Sequence, residues 1–470
     1  MRNSIVIYGP PGTGKTSRLV RIIKEYINSG VAPSRIGVVS FTKAAAKEMA
    51  VRADEVGMQI ATLHSFAYHQ ANIIKDQVVN NEWFKLFAQH SKIQISGTQN
   101  YEIEELGEGD AYLSLYSYGR SILSQDWAAI FKNAPTIGNL PRFNYFIDSY
   151  CDFKEQFGVI DFSDMLDLAL HKAPDLDVLI LDEAQDFTPQ QWQLIESWIS
   201  AIETVVIAGD DDQAIYKWNG ADPEGMRTFE KKHQSERIIL DQSYRIPKAV
   251  HSLANTLISR VRSRVSKVYN PRDFEGTVTR YADARLVKFD PDIDTLVLVR
   301  NHSLRTDVEA AMMQRGVPYI SEGGRPAPLN SPQARAVRLW SLAQKSKGMI
   351  TDAQERQIIR HLKPIYKNKP FEKLLAMSWM NALELPKPLL HYLSAVEGEY
   401  GHLPLDPKIR ISTIHGSKGR EADRVILING MSQRTYESQD TDSEIRTFYV
   451  GITRAKKELI IVSAFNGIHI

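Results

Sequence analysis

A glycine-rich run near the amino terminus has the residue types that hold phosphate groups. Residues 9–16 read GPPGTGKT, directly after the apolar run at 4–8 and directly before a helix-compatible stretch. Glycines let successive backbone N–H groups turn toward phosphate oxygens, the lysine can reach β- and γ-phosphates, and the threonine hydroxyl can bind Mg²⁺. This setting favours a nucleoside triphosphate site over a simple tight turn. The predicted nucleotide-binding residues are Gly9, Pro10, Pro11, Gly12, Thr13, Gly14, Lys15 and Thr16.

Two adjacent carboxylates follow a second apolar run. Residues 178–181 (VLIL) are typical of a short buried strand, and Asp182 and Glu183 come directly after them. Ligands of open α/β sheets bind at the carboxyl ends of the strands. We therefore predict that Asp182 holds Mg²⁺ together with Thr16, and that Glu183 orients and deprotonates the attacking water. The alternative, a solvated helix start, is disfavoured by the four apolar residues before the pair.

Composition and charge are those of a globular protein with several domains. The chain has 470 residues, of which 43% are hydrophobic, and its 57 basic side chains nearly balance its 56 acidic ones. Any basic path for nucleic acid must therefore be local. Cys151 is the one cysteine, which excludes an internal disulfide framework and favours a reducing compartment. No apolar run approaches the roughly 18 residues of a membrane span. We expect a cytoplasmic protein without a membrane partner.

Apolar runs that alternate with helix-compatible stretches predict an α/β fold with parallel sheets. Runs near Ile5, Val38, Leu179 and Val206 predict one sheet. A second sheet is predicted from the runs near Val278, Leu296, Ile411, Ile426 and Ile460. The predicted domains are a first α/β domain at 1–72 and 148–246, a helical insertion at 73–147, a second α/β domain at 247–322 and 405–470, and a short helical insertion at 323–404.

Further motifs connect these elements to a known family. They read SFTKAAAKEM (40–49), TLHSF (62–66), DFSDML (161–166), DEAQD (182–186), GDDDQAIYKWNGA (209–221), DQSYR (241–245), LVRN (298–301), STIHGSKGRE (412–421) and FYVGITRAKKEL (448–459). In their types and order, and over essentially the whole chain, they resemble the superfamily 1A helicases of the UvrD/Rep/PcrA-like group. The resemblance implies two RecA-like motor domains that use ATP and Mg²⁺ to move on DNA.

The resemblance also assigns roles around the nucleotide. Gln213 matches a sensor of the γ-phosphate, and Arg245 and Arg454 match two arginines that reach the same phosphate in the interdomain cleft. Together with Lys15 and Glu183 they form the predicted catalytic set. Tyr244 matches a tyrosine that stacks on the base, and Glu421 a carboxylate that contacts the ribose. For each arginine the alternative is a surface salt bridge.

A second set of residues matches family positions that contact single-stranded DNA. Aromatic side chains in such positions stack on successive bases without reading the sequence. Core packing is the alternative for Phe41 and Phe66, and a structural role is the alternative for His415. The arginines at 260, 262 and 264 are predicted to form a solvated face. The predicted DNA contacts are Phe41, Thr42, His64, Phe66, Tyr216, Trp218, Thr413 and His415.

The resulting prediction is an ATP-dependent 3′→5′ DNA helicase or translocase. Its expected partners are single-stranded DNA, single/double-strand junctions and a possible protein bound through the short insertions. The alternative is a DNA-stimulated ATPase that acts as a remodelling or regulatory subunit, and a weaker one is a nucleic-acid-binding protein with a vestigial ATP site. The glutamine motif that reads adenine in the family has no counterpart, since only eight residues precede Gly9. We therefore expect weaker discrimination between ATP and GTP.

Overall fold

The computed structural model describes residues 3–40, 46–47, 49–51, 57–97, 106–134, 138–322, 327–438 and 440–470. The chain divides into two compact units. The first unit comprises Met1–Arg245 and Ile258–Arg272, and the second comprises Ile246–Leu257 and Asp273–Ile470.

Six strands form the sheet of the first unit. They are β1 (Asn3–Tyr8), β2 (Ile36–Val39), β3 (Gln59–Ala61), β4 (Val178–Leu181), β5 (Thr204–Gly209) and β6 (Glu236–Ile239). Their order is β3-β2-β4-β5-β1-β6, and each neighbouring pair is parallel. All residues of β2, β4 and β5 are buried, which is characteristic of parallel sheets covered on both faces. The four predicted strands of this sheet are confirmed.

Helices surround this sheet and form a separate cluster beside it. The cluster has its own aromatic core, in which the rings of Phe87, Phe146 and Tyr150 contact one another. Among the described residues, the helices of the first unit include Lys15–Asn28, Leu63–Gln70, Asn81–Ser91, Glu108–Ser121, Trp127–Lys132, Leu140–Phe157, Phe162–Leu168, Pro189–Trp198 and Gly225–His233.

The connection after the first sheet differs from the prediction. A strand pair, β7 (Gln242–Pro247) and β8 (Asn270–Arg272), flanks the helix Lys248–Ile258. The sequence prediction assigned all of 247–322 to the second motor domain, whereas Ile258–Arg272 belongs to the first unit. The reason is a set of contacts that no local pattern shows: Val265 packs in the core of the first unit, and Lys267 forms ion pairs there.

A second parallel sheet organises the second unit. Its strands are β9 (Thr277–Tyr281), β10 (Thr295–Val299), β11 (Ile320–Ser321), β12 (Ile409–Thr413), β13 (Ala422–Asn429) and β14 (Ala455–Ser463). Their order is β11-β12-β10-β13-β14-β9, again with parallel neighbours. The five predicted runs are confirmed, and with them the α/β fold class.

The helices of the second unit cover this sheet and build the region between β11 and β12. One of them opens with Pro332, where a missing N–H costs nothing, and the hydroxyl of Ser331 caps it. After Lys248–Ile258 the helices are His302–Gln314, Pro332–Lys345, Asp352–Ile359, Phe371–Leu374, Trp379–Ala382, Lys387–Tyr400, Gln433–Glu437 and Thr441–Ile452. Among the described residues, no helix has both the length and the apolar character that crossing a membrane requires.

Candidate active site

The glycine-rich loop joins β1 to the helix Lys15–Asn28 and is held by its own polar groups. The N–H of Gly9 donates to the carbonyl of Gly209 at 2.9 Å, which fixes the start of the loop. Thr13 Oγ1 donates to the carbonyl of Pro10 at 2.7 Å, and Lys15 Nζ donates to the carbonyl of Gly9 at 2.9 Å. Gly12 has a φ of +74°, a conformation that only glycine adopts at little cost.

The helix behind the loop begins without a side-chain cap. Its N-cap residue is Gly14, which lies in the left-handed region and has no side chain that could accept from the first N–H groups. The first turn carries no acidic residue either. Uncapped N–H groups and the positive end of the helix dipole form an anion-binding site. The loop and the helix start therefore fit the phosphates of a nucleotide.

Strand β7 braces the same loop from the other side. Ser243 Oγ donates to the carbonyl of Pro11 at 2.8 Å, and the N–H of Tyr244 donates to the carbonyl of Gly12 at 2.8 Å. A Cβ atom at Gly12 would lie 2.4 Å from Cβ of Arg245. Two predicted residues, Tyr244 and Arg245, therefore lie beside the loop, and the Tyr244 side chain is exposed. The sequence analysis assigned no role to Ser243. Its polar side chain directly before Tyr244 and Arg245 was the one feature that could have indicated a contact with the loop.

The predicted acidic pair lies at the carboxyl end of β4. Asp182 is buried, and its N–H donates to the carbonyl of Val39 at 2.8 Å. The N–H of Glu183 donates to Asp182 Oδ1 at 2.9 Å. Glu183 has a φ of 54°, a strained value for a residue with a side chain and one found often at functional sites. Its Oε1 lies 4.0 Å from Lys15 Nζ, so the fold brings the predicted base and the phosphate-binding lysine together.

Buried hydrogen bonds connect Glu183 to the predicted sensor. Gln185 Nε2 donates to Glu183 Oε2 at 2.6 Å, and Gln185 Oε1 accepts from the N–H of Asp210 at 3.0 Å. Asp210 Oδ2 in turn accepts from Gln213 Nε2 at 2.7 Å. Glu183 and Gln213 are therefore joined through two side chains that the sequence analysis did not assign. Gln185 and Asp210 lie inside the quoted motifs, but nothing in the sequence indicates that they meet.

The turn that carries the sensor contains three buried carboxylates that surround a lysine. Lys267 Nζ lies 3.0 Å from Asp210 Oδ1 and 2.9 Å from Asp212 Oδ2, and it also contacts Asp211. Arg264 donates to both oxygens of Asp212, at 2.7 and 2.6 Å. The three carboxylates are close enough to hold a metal ion, but the ammonium group lies where the ion would be. The predicted solvated role of Arg264 is therefore wrong.

Asp210 and Lys267 stabilise each other's charge. Burial opposes ionisation of Asp210, but the ammonium groups of Lys267 and Lys15 outweigh burial and lower the pKa of this carboxyl. Burial would also lower the pKa of Lys267, yet the surrounding carboxylates outweigh burial and raise it. Asp210 is thus an anion, and Lys267 a cation, at neutral pH.

Four of the predicted DNA contacts lie in the motifs at 40–49 and 62–66, and the structure gives them different outcomes. Phe41 and Thr42 lie outside the described residues. His64 is half-buried, its ring lies 5.6 Å from that of Phe162, and burial lowers its pKa to about 4. It is therefore neutral at pH 7. Phe66 is 3% exposed and packs in the core of the first unit, so its predicted contact with DNA is wrong.

The buried position of Phe66 predicts a stability effect. Phe66→Ala is expected to lower the free energy of unfolding by about 3–5 kcal/mol, because it removes a large side chain from a packed core. Chemical denaturation measures this directly. Phe162→Ala is the matched control, since Phe162 is 59% exposed and its truncation should cost much less stability. An unchanged unfolding midpoint for Phe66→Ala together with weaker DNA binding would restore the original prediction.

Two aromatic residues follow the sensor turn, of which Tyr216 is half-buried and Trp218 is exposed. Trp218 is 56% exposed, and its ring centre lies 6.3 Å from that of Tyr216 in an edge-on arrangement. The N–H of Ala221 donates to the carbonyl of Tyr216 at 3.2 Å and closes this loop. Trp218 therefore lies on the surface, five residues from the buried Gln213.

The remaining predicted residues belong to the second unit. They lie at the starts of two strands of its sheet and at the end of a third. Arg454 is buried: its Nε donates to the carbonyl of Val450 at 2.9 Å, and its carbonyl accepts from the N–H of Ala422. Glu421 and Arg454 thus lie at the starts of β13 and β14. Thr413 ends β12, its Oγ1 accepts from the N–H of Gly416 at 3.0 Å, and His415 follows on a 3₁₀ turn.

Comparisons with known proteins agree with this arrangement. Residues 1–234 match the model of the UvrD/REP helicase N-terminal domain, and residues 336–466 match that of the UvrD-like helicase C-terminal domain. The "ATP-dependent DNA helicase UvrD2" of Mycobacterium tuberculosis is 24% identical over an alignment that covers 98% of this chain and 76% of the relative. "DNA helicase II" of Escherichia coli K12 is 22% identical, with 98% and 82% covered. The chain belongs to the UvrD/Rep-like helicases of superfamily 1A.

Proposed function

We propose that this protein is an ATP-dependent DNA helicase or translocase that moves 3′→5′ on single-stranded DNA. The observation that supports this most is the connection inside the first unit. Hydrogen bonds through Gln185 and Asp210 join Glu183 to Gln213. Glu183 also lies 4.0 Å from Lys15 of the phosphate-binding loop, and the buried Gln213 lies on the loop that exposes Trp218. One short segment thus links a site for ATP to a surface for DNA bases.

The chemistry proposed for the first unit is hydrolysis of the γ-phosphate. Lys15 binds the β- and γ-phosphates, and Glu183 accepts a proton from the attacking water. Mg²⁺, bound by Thr16 and Asp182, would neutralise charge on the phosphate oxygens. Gln213 orients the water or the γ-phosphate from its fixed place on Asp210.

The contacts of the nucleotide outside the loop complete the proposal. Tyr244 stacks on the base, which its exposed ring beside the loop supports. Arg245 stabilises charge that develops on the γ-phosphate in the transition state. Roles for Arg454 at that phosphate and for Glu421 at the ribose stay predictions from the resemblance.

The proposed DNA path uses stacking rather than charge. Tyr216 and Trp218 offer two rings to the bases, and such stacking tolerates any sequence. Neutral His64, Thr413 and His415 are proposed to contact the strand as well. Single strands and single/double-strand junctions are the proposed substrates, and a protein partner at the short insertions stays a prediction.

The exposed ring of Trp218 leads to a testable coupling. Trp218→Ala should weaken binding of single-stranded DNA by about 1–3 kcal/mol, the stacking energy of one base, and should reduce the stimulation of ATP hydrolysis by DNA. Hydrolysis without DNA and the melting temperature should change little. Trp218→Phe keeps a ring and is the matched control. A stably folded Trp218→Ala protein with undiminished stimulation would contradict the coupling.

The proposed function is tested by measuring ATP hydrolysis with and without single-stranded DNA, beside displacement of streptavidin from biotin placed at either DNA end. We expect stimulation by DNA and faster displacement from the 5′ end, where a 3′→5′ motor arrives. Stimulation without displacement from either end would favour the remodelling or regulatory ATPase instead. A lack of hydrolysis with or without DNA would exclude both.

A further inference from the structure

We propose that Lys267 is a positioning residue for ATP turnover: its buried ammonium group fixes Asp210, and through Asp210 it fixes both Gln213 and Gln185. This inference rests on the proposed function, because it concerns the same hydrolytic site. It adds a residue that lies outside every recognised motif of the chain, 54 positions beyond Gln213 in sequence.

The hydrogen bonds divide the two oxygens of Asp210 between different tasks. Oδ1 faces Lys267 Nζ at 3.0 Å, and Oδ2 accepts from Gln213 Nε2 at 2.7 Å. The N–H of the same residue donates to Gln185, which in turn donates to Glu183. Rotation of the Asp210 carboxylate would therefore break the bond to the sensor. Lys267 opposes that rotation by holding the other oxygen, which also accepts from the N–H of Asp212 at the longer distance of 3.3 Å.

The neighbouring carboxylates keep Lys267 itself in place. Asp211 contacts Lys267 Nζ, and its other oxygen accepts from the N–H of Val265 at 2.7 Å. Asp212 lies 2.9 Å from the same ammonium group and accepts two hydrogen bonds from the guanidinium group of Arg264. The ammonium group of Lys267 is thus held in one position by three carboxylates. Charge neutralisation alone would not require the carboxylates to be held in turn by Val265 and Arg264. Asp211 and Asp212 orient the cation, and the cation orients Asp210.

Loss of the lysine charge would change how Asp210 bonds. Three carboxylates buried this closely repel one another, and burial then favours their protonated forms. A protonated or rotated Asp210 no longer presents a fixed anionic acceptor to Gln213. Displacement of a catalytic group by about 1 Å costs on the order of 10²-fold in rate. The glycine-rich loop keeps its own contacts, such as that of Lys15 Nζ with the carbonyl of Gly9, so nucleotide binding should persist.

The test separates positioning from simple charge balance. Lys267→Met removes the ammonium group but leaves three buried carboxylates, so this variant is expected to lose stability. The double variant Lys267→Met/Asp211→Asn removes one positive and one negative charge together and keeps the formal balance. Lys232→Met is the matched control, because Lys232 lies in the same unit and its side chain is 59% exposed. For each protein we would measure the melting temperature, and kcat and KM for ATP with saturating single-stranded DNA.

We expect turnover to fall while stability and the KM for ATP stay nearly unchanged. The double variant should melt near the wild-type temperature, keep KM within about threefold and lose about 10²-fold in kcat. Lys267→Arg, which keeps the charge, should recover part of that loss. A double variant with wild-type kcat would overturn the positioning role while the proposed function stands. A wild-type protein that does not hydrolyse ATP would overturn the proposed function and this inference with it.

Discussion

Glu183→Gln is expected to slow ATP turnover by about 10²–10⁴-fold while ATP binding is nearly unchanged, because only the acceptance of a proton is lost. The substitution keeps the shape of a side chain that lies 4.0 Å from Lys15 Nζ and accepts from Gln185 at 2.6 Å. An amide is not basic at neutral pH and cannot take the proton of the attacking water. Single-turnover hydrolysis and equilibrium binding of ATP measure the two effects separately.

A control for this variant is Glu82→Gln, which changes an exposed carboxylate on the helix Asn81–Ser91. Its turnover should equal that of the wild-type protein. A Glu183→Gln protein that hydrolyses ATP at the wild-type rate would assign the base to another residue.

Lys15→Ala should abolish measurable hydrolysis and, unlike Glu183→Gln, should also weaken ATP binding. The lysine emerges from the first turn of a helix and is held beside the loop by the carbonyl of Gly9 at 2.9 Å, where phosphates would lie. Hydrogen bonds to charged groups contribute about 1.5–3 kcal/mol, which corresponds to roughly a 10- to 100-fold weaker affinity. Isothermal titration with ATP measures this loss.

The exposed Lys232 again offers a matched control, as Lys232→Ala should bind ATP with wild-type affinity. Equal loss of ATP binding in Lys15→Ala and Glu183→Gln would contradict the separate roles of the two residues.

The sequence predicted those parts of the fold that depend on local patterns. Buried parallel strands such as β4 and β5 are continuous apolar runs and were recognised. Strands β3 and β6 lie at the edges of the first sheet, are partly exposed and carry no such run, so they were missed. The glycine-rich loop was predicted because its chemistry depends on neighbours in sequence.

The contacts that were not predicted join residues far apart in the chain. Arg264 was predicted to lie on a solvated face, and Lys267 lies in no recognised motif. Both contact the carboxylates of the sensor turn once the chain returns to the first unit. Phe66 matched a family position for DNA, but an aromatic residue in a helix is equally suited to a core. Such pairings depend on tertiary packing, and a single sequence does not record them.

The most direct test of the account uses two partial duplexes, one with a 3′ single-stranded tail and one with a 5′ tail. Wild-type protein with ATP and Mg²⁺ should separate the strands of the 3′-tailed duplex and should act far less on the 5′-tailed duplex. The Glu183→Gln variant should separate neither duplex. Separation that favours the 5′ tail would contradict the proposed direction. DNA-stimulated hydrolysis without separation of either duplex would contradict the assignment as a helicase.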